Sequence, residues 1–417
     1  MTSLNTLLQR SEPETSLPQT LKSFQLAKRS ALANVLTPTR KTENWKYSAK
    51  RLGDMTTQAS ATNTSADLGE QIGPNTIVIE NGLVKESSID IAGITLKKFS
   101  ALNEQEAELV TQGVIARSDG LQFAQLNHAQ FADGLFISIA DNTKAEQPLR
   151  IIVRHTGTGT SYSRVFVSLG KLASITVIEE LQFADLNGSP ALLNCVTDCT
   201  LGAGSRMNYI RSDMDQQEQS KIIGATGVYL KRDSFFESHC LGLGTQLDRH
   251  DFRVEMAEPG AECNLNGVCV TQHKQHYDNH TCVDHIAPNC QSNESYRCIA
   301  GDESQIVFNG RIHIHRDAQK TLGSMSNKNL LLSNSAEIDS KPELEIYADD
   351  VKCAHGTTIG QLDEQEVYYL KTRGIKDEQA RQMLTLGFVL ELVRANPVAE
   401  IAEQWENKLA ALLSFEP

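Results

Sequence analysis

Apolar and polar residues alternate with a period of two through most of the chain. The apolar members of the clearest runs are Leu135, Ile137 and Ile139, then Val165, Val167 and Leu169, then Ile312 and Ile314, then Leu344 and Ile346. Because successive side chains of a strand point to opposite faces, this period predicts strands that bury one face. The runs recur from about residue 76 to about residue 355, and Asn-Gly pairs, which mark hairpins, occur in them at only four places. The pattern predicts a mainly β core and leaves open a sandwich, a barrel or a β-helix.

Both ends of the chain change to helical spacing. The apolar positions near the N-terminus are Leu21, Phe24, Ala27, Leu32 and Leu36, and Thr37-Pro38 is expected to end that helix. Two stripes near the C-terminus are separated by Pro397: Leu384, Phe388 and Leu392 precede it, and Ile401, Trp405, Leu409, Leu412 and Leu413 follow it. We expect these stripes to pack on the chain's own core, with docking of a partner as the alternative.

These changes of pattern divide the chain into three parts. A stretch rich in Ser, Thr, Ala and Asn, from Met55 to Pro74, is typical of a linker. We therefore expect an N-terminal helical region with its linker at residues 1–75, a β core at 76–346 and a C-terminal helical domain at 347–417. A chain of 417 residues with 40% hydrophobic residues can bury cores of this size.

Composition excludes several classes of protein. The formal net charge of −13 gives no basic footprint for nucleic acid. No apolar run is long enough to cross a bilayer, and Met1 to Arg10 lack the pattern of a secretory signal. The nine cysteines all lie at or after Cys195, and an odd number favours reduced thiols over a disulfide scaffold. We expect a cytoplasmic protein that binds neither nucleic acid nor membrane.

The pair Cys353 and His355 offers a sulfur ligand and a nitrogen ligand two residues apart. In an extended chain this spacing puts both side chains on the same side, and thiolate and imidazole suit zinc, copper and iron–sulfur clusters. Two ligands do not complete a tetrahedral site, so the pair is either idle or half of a site that a second subunit or cluster sulfides complete. If the alternation of Leu344 and Ile346 continues unbroken, the pair points away from the buried face, although Asp349-Asp350 could break that parity.

A second concentration of possible metal ligands lies between residues 273 and 298. Its members are His273, His276, His280, Cys282, His285, Cys290 and Cys298. The spacing matches no zinc-finger pattern, because the chain contains no Cys-x-x-Cys. His313 and His315 follow on one face of a predicted strand. We favour structural or solvated roles for these residues and keep a stand-alone metal-binding protein as the alternative.

Motifs for nucleotide and ester chemistry are missing from the sequence. Neither a P-loop nor a Gly-x-Ser-x-Gly elbow is present. Asp349 and Asp350 are adjacent, and adjacent residues of a strand point to opposite faces, which argues against a β-helix enzyme that cleaves polysaccharides. We therefore expect no bound nucleotide in this chain.

Several ordered segments resemble the SufB/SufD family of iron–sulfur cluster assembly proteins. They are Asp278 to Thr281, Gly310 to Ile312, Ser324 to Leu332, Tyr347 to Gly356 with its Cys-x-His-Gly, and Tyr369 to Ile375. The resemblance covers roughly residues 120–395. Within the family the chain is similar to the SufD branch, because Arg40 to Tyr47 matches a signature near the start of that branch and the N-terminal part has no cysteine.

The resemblance implies a fold and a role that the spacing arguments do not give. It implies a right-handed parallel β-helix core flanked by N-terminal and C-terminal helical domains. It implies a non-enzymatic scaffold subunit that binds a SufB-like subunit through the β-helix core and a SufC-like ATPase through the C-terminal helical domain, with a possible homodimer in isolation. It also implies that His355, together with Cys353, holds a nascent iron–sulfur cluster or iron, transiently and shared with the SufB-like subunit.

Overall fold

The computed structural model describes Leu4 and residues 16–53, 73–118, 120–184, 186, 190–214 and 219–414. Most of the predicted linker, residues 55–72, lies outside the described residues. In the described part, the helices are α1 (Gln19–Leu32), α2 (Ala49–Leu52), α3 (Glu104–Thr111), α4 (Val114–Arg117), α5 (Gln122–Gln130), α6 (Glu364–Thr372), α7 (Asp377–Arg394) and α8 (Ala399–Leu412). Two short 3₁₀ turns span Glu43–Trp45 and Phe99–Ala101.

The strands of the described part fill the middle of the chain. They are β1 (Thr76–Glu80), β2 (Leu83–Ser88), β3 (Ile94–Lys98), β4 (Leu135–Ile139), β5 (Leu149–Thr156), β6 (Gly159–Leu169), β7 (Ser174–Ala184), β8 (Ala191–Leu201), β9 (Arg206–Asp213), β10 (Ser220–Leu230), β11 (Phe235–Gly242), β12 (Leu247–Met256), β13 (Glu262–Thr271), β14 (His276–His285), β15 (Gln291–Ala300), β16 (Gln305–Ile314), β17 (Thr321–Leu331), β18 (Glu337–Ile346) and β19 (Val351–Gly360).

The strands coil into a parallel β-helix of about eight turns. From β4 onward, consecutive strands alternate between two sheets, so that even-numbered strands stack in a nine-stranded sheet and odd-numbered strands in a ten-stranded sheet. The alternating apolar side chains fill the space between the sheets; Ile137, Val167 and Ile312 are all buried there. The β-helix with flanking helices confirms the fold that the resemblance implied.

Asn-Gly pairs have two different roles in this fold. Asn81-Gly82 forms the hairpin between β1 and β2, with both residues at positive φ. Asn266-Gly267 and Asn309-Gly310 instead lie inside β13 and β16. A Cβ on Gly310 would come within 2.6 Å of Met325 Sδ, so this glycine makes room for a core side chain and not for a turn.

The N-terminal end of the solenoid is closed by other parts of the chain. β2 and β3 pair antiparallel with β1 and β4 and form the outer strands of the two sheets. Apolar side chains of this region, Val84, Ile89, Ile94 and Leu96, pack against the interior. Beside them, Phe136 stacks on Phe166 with ring centroids 5.5 Å apart.

The segment predicted to carry the branch signature lies on the nine-stranded sheet. Trp45 is buried, and the guanidinium of Arg249 lies 4.2 Å from the centre of its ring. Arg249 in turn pairs with Asp278 at 2.6 Å and donates a hydrogen bond to the backbone oxygen of Asn44. The N-terminal region is therefore attached to the solenoid by a cation–π contact and a hydrogen bond, both made by an arginine that a buried ion pair holds in place.

The C-terminal helices α7 and α8 pack on the ten-stranded sheet. Ile401, Trp405 and Leu409 are buried in one cluster with strand residues that include Ile210 and Val268. The apolar stripes therefore pack on the chain's own core, which was the favoured interpretation. The first helix of this region, α6, begins at Glu364, and β19 before it is still a strand of the solenoid. The predicted division after residue 346 thus precedes the last strand of the coil.

Candidate functional site

The strand β19 carries both predicted ligands and lies at the end of the ten-stranded sheet. It pairs in parallel with β17, and no other described strand extends the sheet beyond it. Cys353 stands opposite Gly323 and His355 stands opposite Met325. Within β19 only Val351 and Cys353 are partly buried, and the other residues are exposed. The pair therefore lies on the last turn of the solenoid.

Cys353 and His355 lie on the same side of β19, as their spacing predicts. That side continues the inward row of β17, because Met325 opposite His355 is a buried core residue and Cys353 packs against the same core. Thr357, two residues further, donates a hydrogen bond from its hydroxyl to Asn327 Oδ1 at 3.4 Å and shares one with the hydroxyl of Ser340 at 2.9 Å, at the same end of the interior. The outward direction was expected only if the alternation from Leu344 and Ile346 continued unbroken, and that condition is not met.

The alternation fails at the turn between the last two strands. β18 ends at Ile346 and β19 begins at Val351, so the intervening residues, including Asp349-Asp350, change the sheet to which the chain belongs. The alternation of inward and outward side chains counted from Leu344 along β18 therefore does not continue into β19. The pair nevertheless remains accessible, because no described turn of the solenoid follows to cover it.

The environments of the two ligands differ. Cys353 is partly buried, and burial raises the pKa of its thiol above the usual value. A Cβ on Gly323 would lie 3.4 Å from the Cys353 sulfur, which is a close van der Waals contact. The glycine therefore leaves enough space for the sulfur beside β17. An open groove of about 560 Å³ borders Cys353, Gly323 and Ser324. His355 is exposed. The site therefore offers one half-covered thiol and one accessible imidazole.

These two candidate ligands do not complete a metal site within the described residues. In the part of the chain that the structure describes, the one group of three or more His, Cys, Asp or Glu residues with ligand atoms close enough to share an ion contains neither of them. A tetrahedral ion needs four ligands, and an iron of a cluster needs sulfide as well as protein ligands. Other ligands must come from outside these residues if the pair holds metal.

The end of the solenoid also exposes apolar and unpaired backbone groups. Ile346, Tyr347 and Ile359 are large apolar residues with substantial exposure. β18 carries Lys341 and Pro342, both of which discourage pairing of an outer strand, whereas Lys352 is the one Lys, Arg, Asp or Glu residue in β19. The alternating pattern of the sequence gives no signal for this feature, because it does not show which strand is outermost.

The residues of the 273–298 segment are scattered by the coil. His276 is buried and its Nε2 shares a hydrogen bond with Ser48 Oγ at 2.8 Å, while His285 does the same with Ser292. Burial lowers the pKa of each of these two histidines to about 4, so both are neutral at pH 7. His273, in contrast, is exposed in a turn and lies 3.3 Å from Asp302.

The remaining members of that segment have separate structural partners. His280 lies 2.8 Å from Asp278, beside the buried Arg249. Cys290 and Cys298 are buried free thiols. The segment therefore does not form a single metal site in the described structure, and the structural roles that we favoured account for most of its residues.

None of the described helices is both long and apolar enough to cross a membrane.

Comparisons with known proteins identify the family. A model of the SufBD core domain of SUF-system FeS cluster assembly matches residues 153–388, more than half of the 417-residue chain. The chain is 27% identical over 391 residues to the iron–sulfur cluster assembly protein SufD of Escherichia coli, covering 91% of this chain and 88% of that protein. It is 28% identical over 320 residues to a SufBD family protein of Synechocystis, covering 74% and 70% of the two chains. A SufBD family protein of Mycobacterium leprae is 32% identical over 285 residues, covering 66% and 71%.

The matched region runs from β5 to α7 and so includes most of the solenoid and the strand with Cys353 and His355. With this match, a parallel β-helix of about eight turns and helices at both ends, the chain belongs to the SufB/SufD family of iron–sulfur cluster assembly proteins.

Proposed function

We propose that this chain is a non-enzymatic scaffold subunit of a SUF iron–sulfur cluster assembly complex, in the role of SufD. Its SufB-like partner binds at the open end of the β-helix, and Cys353 and His355 supply this subunit's share of the ligands for a nascent cluster or iron. The observation that carries the proposal is the incomplete ligand pair on an uncovered outer strand. Membership of the family supports it.

The chemistry of the pair fits a transient ligand set. A thiol must lose its proton to bind metal, and the raised pKa of Cys353 keeps it protonated in the isolated chain. Iron or a cluster placed beside the sulfur by a partner would supply the positive charge that favours the thiolate. His355 offers an imidazole nitrogen as the second ligand. The chain alone should therefore hold the cluster weakly and the completed interface should hold it well.

The outer strand β19 is suited to binding another strand. Its outer row of N–H and C=O groups is available, and a partner strand can pair with it while its side chains pack on Ile346, Tyr347 and Ile359. The same strand would allow two copies to pair when the SufB-like subunit is missing, which is the possible homodimer. The cluster would then lie where the two solenoid ends meet.

The C-terminal helical domain provides a second docking surface. Trp405 and its neighbours are used for packing on the solenoid. Tyr368 and Tyr369 on α6 and Met383 on α7 are exposed, and we place the SufC-like ATPase on this outer surface. The energy of nucleotide hydrolysis would reach the cluster site through the ATPase, since this sequence has no P-loop of its own.

A reducing compartment completes the proposal. All nine cysteines are free thiols, and eight of them are buried. Disulfides are rare in the cytosol, where thiols are kept reduced. We therefore propose a cytoplasmic location for the assembled complex.

The test replaces His355 in the complete complex. We expect His355→Ala to slow cluster formation roughly tenfold or more, as loss of a ligand contact does in metal sites, while assembly of the three subunits and the circular dichroism of the chain remain unchanged. Cluster formation is followed by the iron–sulfur absorption during anaerobic reconstitution. His273→Ala removes another exposed histidine and is the matched control. Cluster formation at the wild-type rate in the His355 variant would remove this residue from the site.

A further inference from the structure

A second group of ligand side chains lies on the outer face of the nine-stranded sheet. It consists of Asp284, His313 and His315, whose ligand atoms all lie within 4.8 Å of one another. Asp284 on β14 stands directly opposite His313 on β16. His315 follows β16 and is held by a backbone hydrogen bond from its N–H to His285 at 3.0 Å. Residues 29 positions apart in sequence are thus brought together by one turn of the coil.

Two imidazoles converge on one carboxylate oxygen. His313 Nδ1 lies 2.7 Å from Asp284 Oδ1, and His315 Nε2 lies 3.8 Å from the same oxygen. The two imidazole rings are 4.2 Å apart between centroids. All three side chains are partly exposed, with His315 the most exposed at 43%. An ion can therefore reach the group from solvent.

Neighbouring side chains hold the group in place. Cys282 donates its S–H to the other carboxylate oxygen of Asp284, Oδ2, at 3.5 Å. Arg311 donates to the Cys282 sulfur at 3.3 Å. The ring of Tyr347 packs edge-on against His313, with centroids 5.6 Å apart. Asp284 is thereby oriented with Oδ1 toward the imidazoles, as supporting hydrogen bonds orient the ligands of metal sites.

We propose that Asp284, His313 and His315 form a binding site for a first-row divalent transition metal, such as Fe²⁺ or Zn²⁺. Two histidines and one carboxylate, with the remaining positions open to water, are a donor set that such ions prefer, whereas calcium and magnesium favour oxygen ligands alone. The two imidazoles are neutral ligands and the carboxylate contributes one negative charge. The site is separate from Cys353 and His355, which lie on the other sheet.

The spacing of the ligand atoms fits an ion after small movements. Metal–ligand bonds of about 2.05 Å in a tetrahedral site place neighbouring ligand atoms about 3.3 Å apart. The His313–Asp284 distance of 2.7 Å must lengthen slightly, because the metal replaces the proton that these two atoms share. The His315–Asp284 distance of 3.8 Å must shorten by a similar amount. Rotation of partly exposed side chains can provide both changes without moving the strands.

The group also lies near the open end of the solenoid. Tyr347 contacts His313 and precedes Cys353 by six positions, so the Cα atoms of Tyr347 and Cys353 are at most about 22 Å apart. A bound ion would therefore be close to the end where Cys353 and His355 lie. The binding proposal does not depend on the role of that pair.

The experiment titrates the full-length chain with Co²⁺ under anaerobic conditions, because the visible absorption of this ion reports the coordination by nitrogen and oxygen ligands. Cys353→Ser and His355→Ala are present in every sample, so that the other candidate site contributes nothing. We expect one equivalent of Co²⁺ to bind to this chain, and His315→Ala or Asp284→Asn to weaken binding at least about tenfold. His273→Ala, which removes an exposed histidine next to a carboxylate but with no second histidine, should change the affinity less than twofold.

Two results would overturn the site. The first is a chain with Cys353 and His355 replaced that binds no Co²⁺ while its circular dichroism is that of the wild type. The second is stoichiometric binding that survives His315→Ala and Asp284→Asn unchanged, which would place the ion elsewhere. His315 is exposed, so its variant is expected to fold, and a loss of binding in it reports the ligand and not the fold. Cluster formation by the complex is a separate measurement, and its result does not decide this one.

Discussion

The two ends of the solenoid are built in opposite ways. At the N-terminal end the outer strands are short, with six residues in β2 and five in β3, and they pair antiparallel with their neighbours. β3 ends in Lys97 and Lys98, which discourage further pairing. At the C-terminal end the outer strands β18 and β19 have ten residues each and continue the parallel pairing without a cap in the described residues.

This difference between the two ends indicates where a partner can bind. A long outer strand with few charged residues is an aggregation hazard unless something covers it. The N-terminal end has the protection that stable proteins give to such strands, and β18 has Lys341 and Pro342. β19 has little protection and also carries the ligand pair. One end thus completes the fold of the chain, and the other leaves strand backbone exposed, which is where we propose that the partner binds.

The largest expected effect is at the closed end. Phe136→Ala removes a buried ring that stacks on Phe166, and we expect the free energy of unfolding to fall by about 4 kcal/mol, through lost burial and the cavity left behind. Ile359→Ala on the exposed β19 should cost less than about 1 kcal/mol. Urea unfolding of both variants makes the comparison. Equal losses would mean that the two ends contribute alike to stability.

A pH-dependent loss of stability is expected from the half of the solenoid nearer the open end. Glu294 is buried on β15 and accepts a hydrogen bond from Thr281, and burial raises the pKa of its carboxyl from 4.5 to about 8. The folded state therefore keeps this proton after the unfolded state has lost it. The stability that it contributes is complete below about pH 4.5 and is lost as the pH rises to about 8.

Glu294→Gln removes this titration. Between about pH 5 and pH 8, we expect the variant to gain on the order of 3 kcal/mol of unfolding free energy relative to the wild type. Urea unfolding at a series of pH values measures the difference. Glu303→Gln, at an exposed carboxylate, should give a constant difference over the same range. If the difference in unfolding free energy between the Glu294 variant and the wild type did not change with pH, the Glu294 carboxyl of the wild type would already be ionised at pH 7.

The smallest expected effect concerns association at the open end. Ile359→Lys adds a charge to the exposed strand β19, and we expect binding of the SufB-like partner to weaken at least tenfold, about 1.4 kcal/mol, with the fold unchanged. Leu109→Lys, at an exposed leucine on α3 near the closed end, should not change the affinity. Titration calorimetry with the purified partner distinguishes the two. An unchanged affinity in the Ile359 variant would direct the search for the interface away from β19.

Spacing along the strand predicted part of the candidate site. Two residues of separation place Cys353 and His355 on one side of β19, and the structure bears this out. The direction of that side could be given only on condition of unbroken alternation, and the condition fails because the chain passes from one sheet to the other between Ile346 and Val351. The alternation of inward and outward side chains holds within one strand. It does not predict the direction of side chains in the next strand, because the turn between the strands can change it. For the same reason, β-strand spacing put His313 and His315 together but could not add Asp284.

The sequence by itself determined the local elements of this protein. A period of two gave the strands, helical spacing gave α1, α7 and α8, and the ordered motifs gave the family, because each of these signals lies in neighbouring residues. Only the tertiary structure decided which strand is outermost and which side chains meet. Asp284 reaches His313 across one turn of the coil, and that contact depends on the register between parallel strands. The register between parallel strands depends on the number of residues in each turn of the coil. It therefore cannot be read from any single short segment of the sequence.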